Sequence, residues 1–273
     1  MRAPDGAARV LGEYMSMSEI YKTAPDFAPQ PHGYGKCRGE DAHFFLCDFL
    51  VIDQKKMPDP ARLGKKLADL HHNSESPTSK FGFHCVTFDG KLPLNMAWDA
   101  SWTSFFTKLM RDVYKLDKEF NGFWKPLDDV MQITFKKLIP RLLGPLTAEG
   151  RTIKPCLIHG DHWESNIGTD TQTGEISIFD SCAYYAHHEK EVGIWRCEHH
   201  NMHDEIYRNE YFKNYPPSEP IAESDERNRL YSVETLLIHS AHFPGSETRN
   251  HALKELSWLI NKYSMDMGIA KDA

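Results

Sequence analysis

At 273 residues, 40% hydrophobic and 26% charged, the chain has an ordinary globular composition and can bury a substantial core. Its 39 acidic and 32 basic side chains give a formal charge of −7. This is no basic footprint, so no nucleic-acid partner is expected. No apolar run approaches the roughly 18 residues of a membrane span, there is no signal-peptide pattern, and the six cysteines form no Cys-x-x-Cys pair, so a cytoplasmic protein with reduced thiols and no membrane partner is expected.

In chain order, residues 7–22 predict a helix with Val10, Leu11, Tyr14, Met17 and Tyr21 as a rough apolar stripe and Glu13 and Glu19 as its acids. Pro25, Pro29 and Pro31 then forbid a helix, and two strands are expected over 32–37 and 43–49 around an Arg38-Gly39-Glu40-Asp41 turn. Phe44-Phe45-Leu46-Cys47 is apolar enough for a central strand. A helix over 60–73 starts at a proline and turns Leu63, Leu67 and Leu70 inward. After a Ser/Pro-rich loop and a short aromatic run over 81–87, Gly90 and Pro93 break the chain. Long amphipathic helices follow over 102–120 and 126–143. The chain then reads as mostly helical over 187–211, as a proline-bearing loop over 213–220, and as helices over 224–242, with Ser224 as cap, and 247–263. The 15 histidines would bring the net charge towards neutral below about pH 6.5.

The most informative stretch is Ile158-His159-Gly160-Asp161-His162-Trp163-Glu164-Ser165-Asn166, followed by Ile176-Ser177-Ile178-Phe179-Asp180. The polar segment 169–175, with Gly174, predicts a hairpin turn that can bring Asp161, Asn166 and Asp180 to one edge. That trio suits phosphoryl transfer. One carboxylate orients a hydroxyl and takes its proton, while an amide oxygen and a second carboxylate hold a divalent metal against phosphate oxygens. A buried Asp that merely caps a turn explains any one of the three, but not all three at this spacing after the buried strand Cys156-Leu157-Ile158. His159 is expected to hold the loop through backbone hydrogen bonds. The pairs His71-His72, His187-His188 and His199-His200 would point about 100° apart on a helix, which favours packing or surface roles over zinc.

The His159-Gly160-Asp161 to Asn166 loop with Ile178-Phe179-Asp180 resembles the catalytic and metal-binding loops of the aminoglycoside-phosphotransferase-like kinases. Within them it is most similar to the fructosamine-3-kinase (ketosamine-3-kinase) family, its fungal members especially. Leu67-Ala68-Asp69-Leu70-His71, Lys80-Phe81-Gly82-Phe83-His84, the segment from Trp98 to Phe106 and Tyr184-Tyr185-Ala186-His187-His188-Glu189 resemble further family segments, so the similarity spans about 13–262. The family loop reads His-Gly-Asp-Leu-Trp-x-Gly-Asn. Here His162 replaces the Leu and Ser165 the Gly, and the serine predicts a different backbone angle beside Asn166.

The resemblance implies an α+β, protein-kinase-like (aminoglycoside-phosphotransferase-like) fold. Residues 1–50 would be the remnant of a small nucleotide-binding lobe with its hinge at about 47–50, residues 51–264 a large, mainly helical catalytic and substrate lobe, and residues 265–273 a frayed tail. It implies ATP and Mg2+ as cofactors and Asp161 as the catalytic residue. Asn166 and Asp180 would hold metal and phosphates, with Glu13, Cys47, Asp48 and Phe49 on the nucleotide. His84, Trp98, Asp99, Trp102 and His187 would lie on the acceptor side, where Glu191 either shapes the site or braces the loop. From the residues alone, Glu13 reads as a surface acid and Trp102 equally as a helix anchor. The implied reaction is 3-phosphorylation of a ketoamine sugar on a protein lysine, a ribulosamine or else a psicosamine or fructosamine, leading to deglycation. Glycated proteins or free ketosamines are the expected partners of a monomer. Residues 1–12 contain only Arg2 and Arg9 as cations and no nucleotide loop, so three small-lobe strands are expected to be missing, an apolar strand edge uncovered and turnover weak. A pseudokinase scaffold is the alternative.

Overall fold

The computed structural model describes residues 5–269; Arg2 and the last part of the expected tail lie outside them. Helix α1 (Gly6–Thr23) buries Val10, Met17 and Ile20 and lies against an antiparallel ribbon of β1 (Pro31–Lys36) and β2 (His43–Cys47). Among the described residues β2 pairs only with β1, so it is not a central strand. Period-2 alternation turns Phe45 inward, with its ring 6.0 Å from that of Tyr14, and leaves Phe44 and Leu46 44% and 55% exposed.

Helix α2 (Pro60–Asn73) coincides with the predicted span. Pro60 stands at its start, where a missing N–H costs nothing, and Asp59 caps it by accepting from Arg62 N at 2.9 Å. The aromatic run 81–87 is not a strand: Phe81 and Gly82 make single bridges to Asp99 and Tyr185. The strands lie just beyond, as a hairpin of β4 (Thr87–Asp89) and β5 (Leu92–Leu94) turning at Gly90 with φ +50°. Pro93 fits because β5 is an edge strand.

Helix α3 (Trp102–Asn121) is capped by Ser101, which accepts from Ser104 N, and stops at Gly122 with φ +77°. The expected single helix over 126–143 is divided into α4 (Lys125–Ile133), a wide π turn (Thr134–Leu138) and α5 (Ile139–Leu143). Pro140 accounts for the break, since an interior proline lacks the N–H and crowds the carbonyl four residues back.

Strand β6 (Cys156–Ile158) pairs with β9 (Tyr184–Ala186). The predicted hairpin is present as β7 (Ile167–Asp170) and β8 (Ile176–Ile178), and β3 (Ile52–Asp53) joins the outer edge of β7. A 3-10 turn over His188–Arg196 and helix α6 (Glu205–Asn214) replace the helical reading of 187–211. Helix α7 (Ser224–His242) is mostly buried between α3 and α8 (Thr248–Lys262). Glu223, not Ser224, precedes its first turn, and no side chain caps it. None of the described helices is long and apolar enough to cross a membrane.

The centre of this helical assembly is polar as well as apolar. The wholly buried Arg227 forks onto Glu189, with Nε donating to Oε2 at 2.8 Å and Nη2 to Oε1 at 2.7 Å, and Lys190 pairs with Glu234 at 2.9 Å. Burial holds His71, His159, His162, His187, His188, His199, His200 and His239 below the ordinary histidine range. The expected neutralisation below pH 6.5 is therefore muted in the folded protein.

Candidate active site

The loop after β6 is built from its own backbone. The Glu191 carboxylate accepts from the N–H groups of His159 and Gly160, the latter at 3.1 Å. Burial opposes the charge on Glu191, but His71, His162 and His159 around it prevail and hold it at about 2. His159 Nδ1 accepts from Asp161 N at 3.3 Å, which leaves Nε2 protonated to donate to Phe179 O at 3.0 Å. This is the loop-holding role expected for His159, and it ties the loop to the end of β8. Gly160 has φ +88°, and a Cβ there would lie 2.6 Å from the Cys182 carbonyl. Gly160→Ala is therefore expected to lower stability by about 2–3 kcal/mol and to displace the loop, read as an earlier urea midpoint.

Asn166 gathers the trio. Its Nδ2 donates to Asp161 O and Oδ2, both at 2.9 Å, and lies 3.4 Å from Asp180 O. Asn166 Oδ1 and the Asp180 carboxylate accept no hydrogen bond among the described residues. Two hard oxygen donors without a competing protein donor fit a divalent cation such as Mg2+. Asp180 itself sits at φ +57°, a left-handed conformation that costs a non-glycine residue about 1 kcal/mol or more and recurs at functional sites. Ser165 is not left-handed: it lies in a 3-10 turn (Glu164–Asn166), and its carbonyl accepts from Gln54 Nε2 at 3.0 Å. The serine is accommodated without strain. Burial, then the charges of Asp89 and Asp180, push Asp161 well above the carboxylate range, against the pull of Asn166 and Trp163.

Asp180 lies between two concavities. On one side a slot of about 260 Å³ is lined by Glu13, Met17, Phe45, Cys47, Asp48 and Phe49, with Phe179 and Asp180 at its end. The Asp48 N–H is bonded to Gln30 O and its carboxylate to His32 at 2.6 Å, whereas the backbone of Phe49 and Leu50 makes no bond among the described residues. On the other side a cavity of about 440 Å³ is lined by Asp89, Asp161, Trp163, Asn166, Asp180 and the histidines 199, 200, 239 and 242.

Glu13 faces the slot, not bulk solvent. Burial and then Asp180 raise it to about 7, and Arg9, one turn earlier, only partly offsets them. Since its folded value exceeds its unfolded one, the folded state holds the proton more tightly, and stability falls as pH rises from about 4.5 to about 7. Glu13→Gln should remove this slope. It is expected to be the more stable protein at pH 8 by ~1–3 kcal/mol and to match the wild type near pH 4.5, in urea titrations at the two values.

A sequence profile described as fructosamine kinase matches residues 5–262. The chain belongs to the fructosamine kinase family. It is 30% identical over 248 residues to the protein-ribulosamine 3-kinase, chloroplastic, of Oryza sativa subsp. indica, covering 91% of this chain and 68% of that one. A candidate fructosamine-3-kinase from Haemophilus somnus 129PT superposes with a TM-score of 0.72 at 19% identity, over 95% of this chain and 82% of the other. A thermostable mutant of the aminoglycoside phosphotransferase APH(4)-Ia gives 0.61 at 14% identity, over 92% and 83%. The fold is thus the mostly helical α+β, protein-kinase-like fold expected.

Within this fructosamine kinase fold, the structure brings together Asp161, Asn166, Asp180, Glu13, Cys47, Asp48 and Phe49 but keeps five expected acceptor residues out of the cavity lining. Trp102 is buried and donates from Nε1 to Tyr231 Oη at 2.8 Å, as a helix anchor. His187 is buried between Tyr231 Oη and Ser218 Oγ, each 2.9 Å away. Asp99 holds the start of α3 through Ser101 N, Ser104 Oγ and Lys108 Nζ. Trp98 packs beside Tyr185, and His84 is exposed against Phe83. Glu191 braces the loop. His187 and His188 do not lie on an α-helix, His188 opening the 3-10 turn, and with Glu189 their ligand atoms fall within 4.8 Å of one another. Each already has a protein partner, however, and Arg227 supplies the charge opposite Glu189.

The cavity residues that sequence reasoning missed come from the β4–β5 hairpin, the segment after Arg196 and the end of α7. His239 and His242, three apart on one helix face, were the readable signal.

Proposed function

We propose that the chain transfers the γ-phosphoryl group of ATP to the 3-hydroxyl of a ketosamine, with a protein-bound ribulosamine as the leading substrate. The observation that carries this reading is the convergence of Asp161, Asn166 and Asp180 at the junction of the slot and the cavity. The apolar walls of the slot suit a planar base, with the unbonded backbone of Phe49 and Leu50 for its edge. The acceptor hydroxyl approaches Asp161 from the cavity. Its oxygen forms the new bond to phosphorus as the bond from phosphorus to the β-phosphate oxygen breaks, its proton passes to Asp161 Oδ, and ADP leaves. Asn166 fixes that carboxylate through Nδ2 and turns Oδ1 away from it. Asn166 Oδ1 and Asp180 would hold Mg2+, which when bound neutralises charge on the phosphates and lowers the repulsion on Asp161. Glycated proteins and small ketosamines are the proposed partners, and the 3-phosphate would make the adduct labile.

The test is Mg2+-dependent ADP release with ribulosyl-lysine or a ribated protein, the site of phosphorylation being assigned by NMR. Product bearing phosphate on O3 is expected. Nucleotide binding without any acceptor-dependent ADP release would favour a scaffold, a reading suggested by the poorly compensated Glu13.

A further inference from the structure

The acceptor cavity contains three carboxylates: Asp89, Asp161 and Asp180. No lysine or arginine lines it among the described residues. Burial and then His200 and His239 hold His199 at about 3, and burial and then His239 hold His200 at about 4, so those imidazoles bring no positive charge at neutral pH. The proposed reaction uses Asp161 and Asp180. Asp89 has no part in it, yet it is a constructed feature rather than a stray surface acid. Its carboxylate is mostly buried, and Oδ1 lies 3.1 Å from His242 Nε2, which is equally close to the Asp89 carbonyl. Gly90 closes the turn at φ +50°, where a Cβ would fall 2.8 Å from the His242 ring. Asp89 Oδ2 has no bond among the described residues. His200, 8% exposed, also lines the cavity, but its Nδ1 is turned to the Glu164 carboxylate at 3.8 Å, so Asp89 Oδ2 is the acceptor left open to a ligand.

We propose that Asp89, oriented by His242, is a specificity-determining residue that receives the protonated secondary amine of a ketosamine and so selects amine-bearing ketoses over neutral ones. This rests on the kinase reading above. A ketosamine carries its amine on C1, two carbons from the 3-hydroxyl, so anchoring the nitrogen at Asp89 limits where that hydroxyl can lie relative to Asp161. The charge of Asp89 is felt at Asp161 and at His239, so it acts across the same cavity. An ammonium group supplies a permanent cation where the lining offers no lysine or arginine among the described residues, in a site where a charge-assisted hydrogen bond is stronger than in water.

The test is calorimetric binding to the full chain of two ligands: ribulosyl-lysine and the ether in which oxygen replaces its amine nitrogen. The wild type should bind the amine about 10- to 100-fold more tightly than the ether. Asp89→Asn should bring the ratio close to one while leaving ether affinity unchanged. A ratio retained in D89N, or no preference in the wild type, overturns the proposal. If D89N binds neither ligand, Asp89→Glu decides: a preference retained with the charge supports the assignment, and a lost one overturns it. ADP release is read separately. Amine-selective, Asp89-dependent binding without ADP release would sink the kinase reading and leave the Asp89 assignment standing. ADP release with equal kcat/KM from both ligands would do the reverse, and a wild type that binds neither ligand would overturn both.

Discussion

Asp161→Asn is expected to leave a folded protein whose kcat has fallen by about 10³-fold or more. The replacement is isosteric, and its amide oxygen can still accept from Asn166 Nδ2 across the 2.9 Å contact. What disappears is the group proposed to take the hydroxyl proton. Stability should move the other way. Asp161 is buried beside two other carboxylates, and its charge is disfavoured in the empty protein. A neutral side chain there should leave the fold as stable or more stable by ~1 kcal/mol. Loss of turnover together with an unchanged or later urea midpoint would place the effect in the chemistry. More than a tenth of wild-type kcat in D161N would remove Asp161 from the proton-transfer role.

The largest loss of stability is expected from Arg227→Ala, about 3–5 kcal/mol in urea or thermal unfolding. Both partners of the Arg227–Glu189 pair are fully shielded from solvent, and the same guanidinium donates to the carbonyls of Ser218 and Pro220. Truncation leaves a buried carboxylate whose remaining contacts include Ser218 N at 2.8 Å and His187 at 3.8 Å. Those neighbours cannot replace a bidentate cation. Arg227→Met with Glu189→Gln should be milder than R227A because no unpaired charge remains. If R227A costs less than about 1 kcal/mol, the pair contributes little to stability.

Most of the framework was legible from local rules. Pro60, the apolar spacing of α2 and α3, and Gly174 in the β7–β8 turn each specify their elements with little help from distant contacts. The trio was legible for the same reason, since a short strand, a loop and a hairpin bring its members together within twenty residues. The proposed acceptor side was not. Asp89 and His242 meet across 153 positions of chain, and nothing local in either segment announces the other. Trp102 and His187 were placed on the acceptor side by resemblance, but a large aromatic ring gains more from a core seat, and His187 found partners for both ring nitrogens there. The π turn was also hidden, because Pro140 announces trouble in the helix without saying how the backbone will absorb it.

Asp180 borders both the slot proposed for nucleotide and the cavity proposed for acceptor. A partition one carboxylate wide means that the two ligands share an electrostatic boundary, so neither should bind as though the other were absent. Thermodynamic reciprocity then sets a firm relation: whatever factor Mg2+-nucleotide imposes on acceptor affinity, acceptor must impose on Mg2+-nucleotide affinity. Substrate synergism of this kind would appear in a matrix of binding titrations as one shared factor. A factor above one would have the proposed kinase hold its nucleotide loosely until an acceptor arrives, and a factor below one would have the two ligands oppose each other.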